Sequence, residues 1–299
     1  MTAPASLFDE ESRERAARHG ADSHFRWLAV ADDPEAVALR AVLERGFALA
    51  GPAARTRLRN GLEHERWGQH VGALAHLLVA ALFDAAGWDV EVEPELDGKS
   101  PDLLVTRRVG ADGADAMPGR VASATDAAPS AAPQELRMLV EVRAISGAGR
   151  FPWEQRRADG QRMATEEREA LAEAVYGVLQ RKAETYADLV RRLHLPFVIC
   201  LYEDKDDVLA GLVAESLHGR GGAARQHTAR PPEPRTPLGA VLVLRREDDE
   251  AGRVLVSGDL FDHPGAARPL PLDASLPWFT RNDAAGRTVN APRERRREL

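Results

Sequence analysis

The first ordered pattern along the chain begins at Asp33-Pro34, after a charged stretch of weak periodicity over residues 1–30. An aspartate followed by proline reads as an N-cap with proline in the first helical turn. Val37, Leu39, Val42, Leu43 and Phe47 then recur at helical spacing, and Gly51-Pro52 stops the helix. A second, longer helix is expected over 62–86, where Trp67, Val71, Leu74, Leu78 and Leu82 make one apolar stripe and Gly87 follows as the C′ residue. Residues 88–93 alternate with period two and predict a strand. A turn over 94–100 leads to a second short strand over 101–105.

Residues 107–135 are rich in Ala, Gly, Asp, Ser and Pro and nearly empty of large apolar side chains. They are expected to form a flexible excursion between two neighbouring strands. The next strand is placed at 136–145, with Leu139, Glu141 and Arg143 on one face and Met138, Val140 and Val142 on the other. A third helix is expected over 165–193 and is broken by His194-Leu195-Pro196. The continuous apolar run 197–202 suits a strand buried on both faces. An amphipathic helix at 208–217, a Gly/Arg/Pro loop at 218–237 and a hairpin with arms at 239–244 and 253–256 complete the pattern. Arg293 to Arg297 read as a frayed basic end. The expectation is an α/β fold: a mixed central sheet flanked by helices, with a peripheral C-terminal hairpin. Its divisions are an N-terminal helical extension (1–60), a main domain (61–270) and a tail (271–299).

Composition narrows the function classes. The 299 residues are 44% hydrophobic and 29% charged, a core-forming balance. A net charge of −7 excludes a globally basic nucleic-acid binder but not a local basic groove. One cysteine excludes a disulfide scaffold or a Cys-based zinc cluster. No stretch has the length and apolarity of a membrane span or of a signal-peptide core, so a cytoplasmic protein with no membrane partner is expected. Dinucleotide fingerprints, Walker A, HExxH, GxSxG and EF-hand loops are absent from the sequence, and the nine histidines show no metal-ligand spacing.

What the sequence does contain is a spaced carboxylate pair. Asp102 opens one short strand and Glu141 sits on the next, with Arg143 on the same face. Two carboxylates on adjacent strands suit a shared hard cation such as Mg²⁺; the bland alternative is a turn cap and a Glu141–Arg143 pair. Lys182 adds weight, because it falls in the stripe of Leu171, Val175, Val178, Tyr186, Leu189 and Leu193. A lysine there either snorkels at the core edge or points at an anionic centre. Arg55, Arg57 and Arg59, with Arg220, Arg225 and Arg230, are candidate phosphate contacts or ordinary solvated arginines. Glu203-Asp204-Lys205-Asp206-Asp207 is either a metal-holding cluster or a turn with a helix N-terminus.

The runs 85–94, 100–105 and 139–143 together resemble the PD-(D/E)XK nuclease superfamily, which has the restriction-endonuclease-like fold. The resemblance spans roughly residues 60–270. It implies Asp102 as the first acidic residue, Glu141 as the second, Mg²⁺ or Mn²⁺ as cofactor, and phosphodiester hydrolysis in nucleic acid, DNA foremost. Arg143 stands where the pattern has lysine, and arginine cannot lose its proton. The stretch 179–186 running into 195–199 is similar to branches that carry the lysine on the following helix, which assigns that role to Lys182 with Tyr186 one turn on. Residues 260–270 are similar to a C-terminal feature of the same branch. His76 stands where many members have a glutamate on the first helix. By its position on the helical wheel it lies on a flank with Glu65 and Gln69, either half-exposed or in the site. The resemblance leaves open a catalytically degenerate member that binds nucleic acid or serves as an assembly module, and a homodimer as one arrangement. A third reading makes Asp102, Glu141 and Lys182 a buried structural ion network in an interaction protein.

Overall fold

A computed structural model describes residues 6–21, 23–109, 134–144, 165–204, 208–218, 236–248, 253–271, 279–282, 288–290 and 297–298. Five helices come first: α1 (Glu10–Ala16), α2 (His24–Val30), α3 (Pro34–Leu49), α4 (Pro52–Leu62) and α5 (Trp67–Ala85). Polar side chains cap three of them: Asp9 accepts from Ser12 N at 2.8 Å, Ser23 from Arg26 N at 3.3 Å, and Asp33 from Ala36 N at 3.0 Å. The single helix expected over 62–86 starts at Trp67, and α4 is a separate helix ending at Leu62. Strands β1 (Asp89–Val92), β2 (Leu103–Val109) and β3 (Gln134–Ala144) follow. Then come α6 (Thr165–Leu193), β4 (Phe197–Asp204), α7 (Val208–His218), β5 (Leu238–Asp248), β6 (Val254–Asp262), β7 (Thr280–Asn282), β8 (Thr288–Asn290) and β9 (Arg297–Glu298).

The strands form one mixed sheet in the order β1-β2-β3-β4-β5-β6-β7-β8, with β9 also on β6. β3, β4 and β5 run parallel through the α6 and α7 connections, while the β1–β2, β2–β3 and β5–β6 pairs are antiparallel. The hairpin read as peripheral is continuous with this sheet. The reason is visible in β5, where Ala240 to Leu244 are buried on both faces, the signature of an interior strand. Arg297 and Glu298, read as part of a tail, pair with Val256 and Leu255. The excursion expected at 107–135 is shorter than drawn, because Arg107, Arg108 and Val109 pair with Leu136, Glu135 and Gln134. The rest of it, and Arg293 to Arg296, lie outside the described residues.

Helices cover both faces. The side of β2–β6 carrying Val105, Val140, Cys200 and Leu242 packs with α1–α5 in one core, so the N-terminal helices share the core of the main domain. The other side, with Leu139, Ile199, Leu201 and Val243, packs with α6 and α7. Gly46 lets α3 lie directly on α5, since a Cβ there would stand 2.2 Å from the Leu77 carbonyl oxygen. Along α6, Val175, Leu179, Ala183, Tyr186, Leu189 and Val190 are buried, whereas Val178, placed in the stripe, is exposed. Among the described residues no helix is long and apolar enough to cross a membrane.

Candidate active site

Strand register brings the two carboxylates to one level. Leu103 faces Val140 across the antiparallel β2–β3 pair, so Asp102, one step before β2, arrives beside Glu141 and Val142. The Val142 amide donates to Asp102 Oδ2 at 2.7 Å, which fixes that carboxylate against the end of β3. Burial raises the Asp102 pKa, opposed by this amide and by the charges of Arg143, Lys182 and Arg57.

Glu141 points to the α6 side of the sheet, and only 2% of its side chain is exposed. The Lys182 ammonium stands 3.2 Å from Glu141 Oε1, and the Arg143 guanidinium bonds the same oxygen. Glu141 Oε2 is buried with no hydrogen-bond partner, and Arg143 Nε is likewise buried and unpartnered. Both cations therefore reach one oxygen of this carboxylate, including the arginine that the sequence pattern made secondary.

The turn carrying Asp102 is strapped to α6. It closes through Asp97 and Gly98, both at positive φ (51° and 73°), the backbone that an Asp-Gly pair favours. Tyr186 Oη donates to Ser100 O at 3.2 Å, Lys99 bonds the Thr185 carbonyl, and Arg192 pairs with Asp97 at 3.4 Å. Burial and the nearby Glu141 carboxylate push the Tyr186 hydroxyl pKa up, so it remains a protonated donor.

On the opposite side His76 projects from α5. It is 6% exposed, not half-exposed, because α5 is enclosed between α3, α4 and the sheet. Its Nε2 lies 3.1 Å from Asp102 O, which only accepts, so Nε2 carries the proton. Nδ1 lies 3.9 Å from Glu93 Oε1 and 4.0 Å from Asp102 Oδ1. Burial pushes its pKa down to about 4, aided by Arg57 and Arg143 and opposed by the Asp102 carbonyl and Glu141. His76 is thus neutral at pH 7.

Two residues enter that the sequence reading did not place in the site. Glu93 follows β1 at φ 53°, a left-handed backbone that a glutamate rarely adopts, and its amide donates to Asp102 O at 2.8 Å. Its carboxylate, 7% exposed, pairs with Arg57 from α4. The arginine cluster is divided in consequence. Arg55 bonds the Phe47 and Ala48 carbonyls, and Arg59 bonds Ser6 O and Asp9. Both guanidiniums also lie over the Phe47 ring. Arg57, on another face of the helix, turns to the site. A positive φ cannot be foreseen from an alternating strand pattern, and the i, i+2, i+4 spacing of the arginines sets Arg57 on a different face only because 52–62 is a helix, which the sequence reading did not expect.

The acidic cluster at the end of β4 resolves differently. Both Glu203 oxygens accept from Leu209 N, at 3.1 and 3.2 Å, so this side chain caps α7. Residues 205–207 and Arg220, Arg225 and Arg230 lie outside the described residues. Among the described residues no group of three or more His, Cys, Asp or Glu side chains converges as a metal cage. Asp102 and Glu141 nevertheless form the sparse carboxylate set that suits a hard cation keeping most of its water. Comparison with protein-family models, curated proteins and solved structures returned no match.

Proposed function

We propose that this chain is a metal-dependent nuclease that hydrolyses phosphodiester bonds, with DNA as its substrate and the cytoplasm as its place of action. The observation that carries the reading is Glu141: one oxygen is held by Lys182 and Arg143, the other is buried and unpartnered, and Asp102 lies alongside, one step before β2. A buried acceptor without a donor is costly unless something fills it. Asp102 and Glu141 would hold Mg²⁺ or Mn²⁺, which when bound activates water and offsets charge on the phosphate. Lys182 supplies positive charge where the phosphate gains negative charge. Arg143 adds charge but, always protonated, takes no part in moving a proton. Tyr186 and His76 position Asp102, one through Ser100 and one through the Asp102 carbonyl. The resemblance of the Asp102, Glu141 and Lys182 segments to the PD-(D/E)XK superfamily supports the same reading.

A second reading, a degenerate member that binds nucleic acid without cutting it, is favoured by charge balance. Glu93, Asp102 and Glu141 face Arg57, Arg143 and Lys182, so the cluster is neutral without any added cation. One experiment separates them. Supercoiled plasmid, linear duplex, single-stranded DNA and RNA are each incubated with the protein in Mg²⁺, in Mn²⁺ and in EDTA, beside Glu141→Gln. Cleavage that needs the metal and disappears in the variant supports the nuclease. Binding without cleavage in every metal supports the second reading.

A further inference from the structure

Arg57 has one ion-pair partner among the described residues, Glu93, and 62% of its side chain is exposed. A guanidinium carries five N–H donors, and one carboxylate cannot occupy them all. The outward part of Arg57 is thus an unfilled donor set beside Asp102 and His76, close enough for its charge to act on both. Its neighbours on α4 are spent on carbonyls and on the Phe47 ring, so they offer nothing comparable. The anchor is also unusual. Glu93 is kept nearly buried on a left-handed backbone, a conformation that costs free energy and persists where the surroundings impose it. Two hydrogen bonds to Asp102 O, from Glu93 N and from His76 Nε2, tie that strained residue to the carboxylate-bearing turn. The arginine is thereby held in fixed relation to Asp102.

We propose that Arg57 grips a backbone phosphate of the nucleic acid next to the one at Asp102 and Glu141, with Glu93 as its anchor, so that the N-terminal helices complete the substrate site. This rests on the reading of the site as one for nucleic acid. A planar guanidinium held on one edge by a carboxylate presents its other edge to a phosphate, which is the geometry for paired N–H···O contacts.

The test is binding, read apart from catalysis. A fluorescein-labelled oligonucleotide, single-stranded and duplex, is titrated with the full chain in Ca²⁺ over a salt series, followed by anisotropy. Arg57→Gln should weaken binding about tenfold and lower the slope of log K against log salt by about one. Arg57→Lys should keep the slope and lose only a few-fold, because the charge remains and the fork does not. Arg55→Gln should lower the melting temperature and leave the slope alone. Glu93→Gly keeps the positive φ without strain, so it should weaken binding while the melting temperature holds or rises. A melting temperature and an affinity that fall together in Glu93→Gly would make the pair structural and overturn the proposal. Equal affinity and slope in wild type and Arg57→Gln also overturn it, while leaving the nucleic-acid reading intact. Failure of the wild-type protein to bind any oligonucleotide overturns both.

Discussion

Glu141 and Glu203 are buried carboxylates on neighbouring strands and on the same face of the sheet, and they are held in opposite ways. Glu203 closes both oxygens on Leu209 N at the start of α7. That donor belongs to a helix and cannot withdraw. Glu141 leans on Lys182 and Arg143, whose side chains are 31% and 40% exposed, and keeps one oxygen unpartnered. Those donors sit on flexible stems with one side in water, so they can change partners when a ligand arrives. A carboxylate anchored on a helix amide serves the scaffold; one held by cations on flexible stems can exchange them for a ligand.

The contrast breaks first if activity does not follow Glu141. Glu141→Gln and Asp102→Asn should each abolish Mg²⁺-dependent cleavage, by about 10³-fold or more, since each removes a charged ligand at nearly constant volume. The melting temperature should hold. Equal cutting by both variants sinks the site. The next effect is Lys182→Met, which should slow cleavage by on the order of 10²-fold, the scale of one lost transition-state charge. Arg143→Met should cost only a few-fold in the same kcat measurement, and the reverse ranking would return the lysine role to the strand.

A pH series sharpens the other side of Asp102. His76 has its pKa lowered from 6.5 to about 4 by burial, so the unfolded chain takes up a proton first as pH falls. Stability present above pH 6.5 should therefore decline between pH 6.5 and 4, by about 2–3 kcal/mol. Asp102 acts in the opposite sense, because its raised pKa relieves a burial penalty once it is protonated. Urea unfolding at several pH values should show the decline in wild type and lose most of it in His76→Gln. The smallest effect belongs to Glu203→Ala, which removes the α7 cap and should cost about 1–2 kcal/mol with kcat unchanged. A loss of kcat there at full stability would erase the distinction between the two glutamates.

Much of the frame was legible where periodicity and stop signals agree. Asp33-Pro34 starts α3 as read, and α6 occupies Thr165–Leu193 before the Leu195-Pro196 break. Lys182 was legible because a charged residue in an apolar stripe has few places to go, and Asp102 and Glu141 because they stand at successive strands. α4 was hidden, because Gly51-Pro52 reads as the stop of α3, whereas Pro52 stands in the first turn of the next helix, where proline is tolerated. The burial of His76 was hidden because a helical wheel records one stripe, and α5 is enclosed on nearly all sides by tertiary packing. Glu93 was read as the last residue of an alternating strand. Only the three-dimensional pull of Asp102 and Arg57 shows why its backbone turns over.

The pairing of α3 with β5 sets a timetable for biosynthesis. Arg246, nearly buried, reaches Glu35 at 3.3 Å across 211 residues of chain. At about 5–20 residues per second, a ribosome makes Glu35 some 10–40 s before Arg246. Through that interval α5 can already lie on β1 and β3, while the contacts of α3 with β6 have still to be made. Closing so long a loop adds entropy cost before any contact rewards it. The part of the helical layer around α3 therefore stays open until β5 and β6 are made, and a chain terminated before β5 would leave it open.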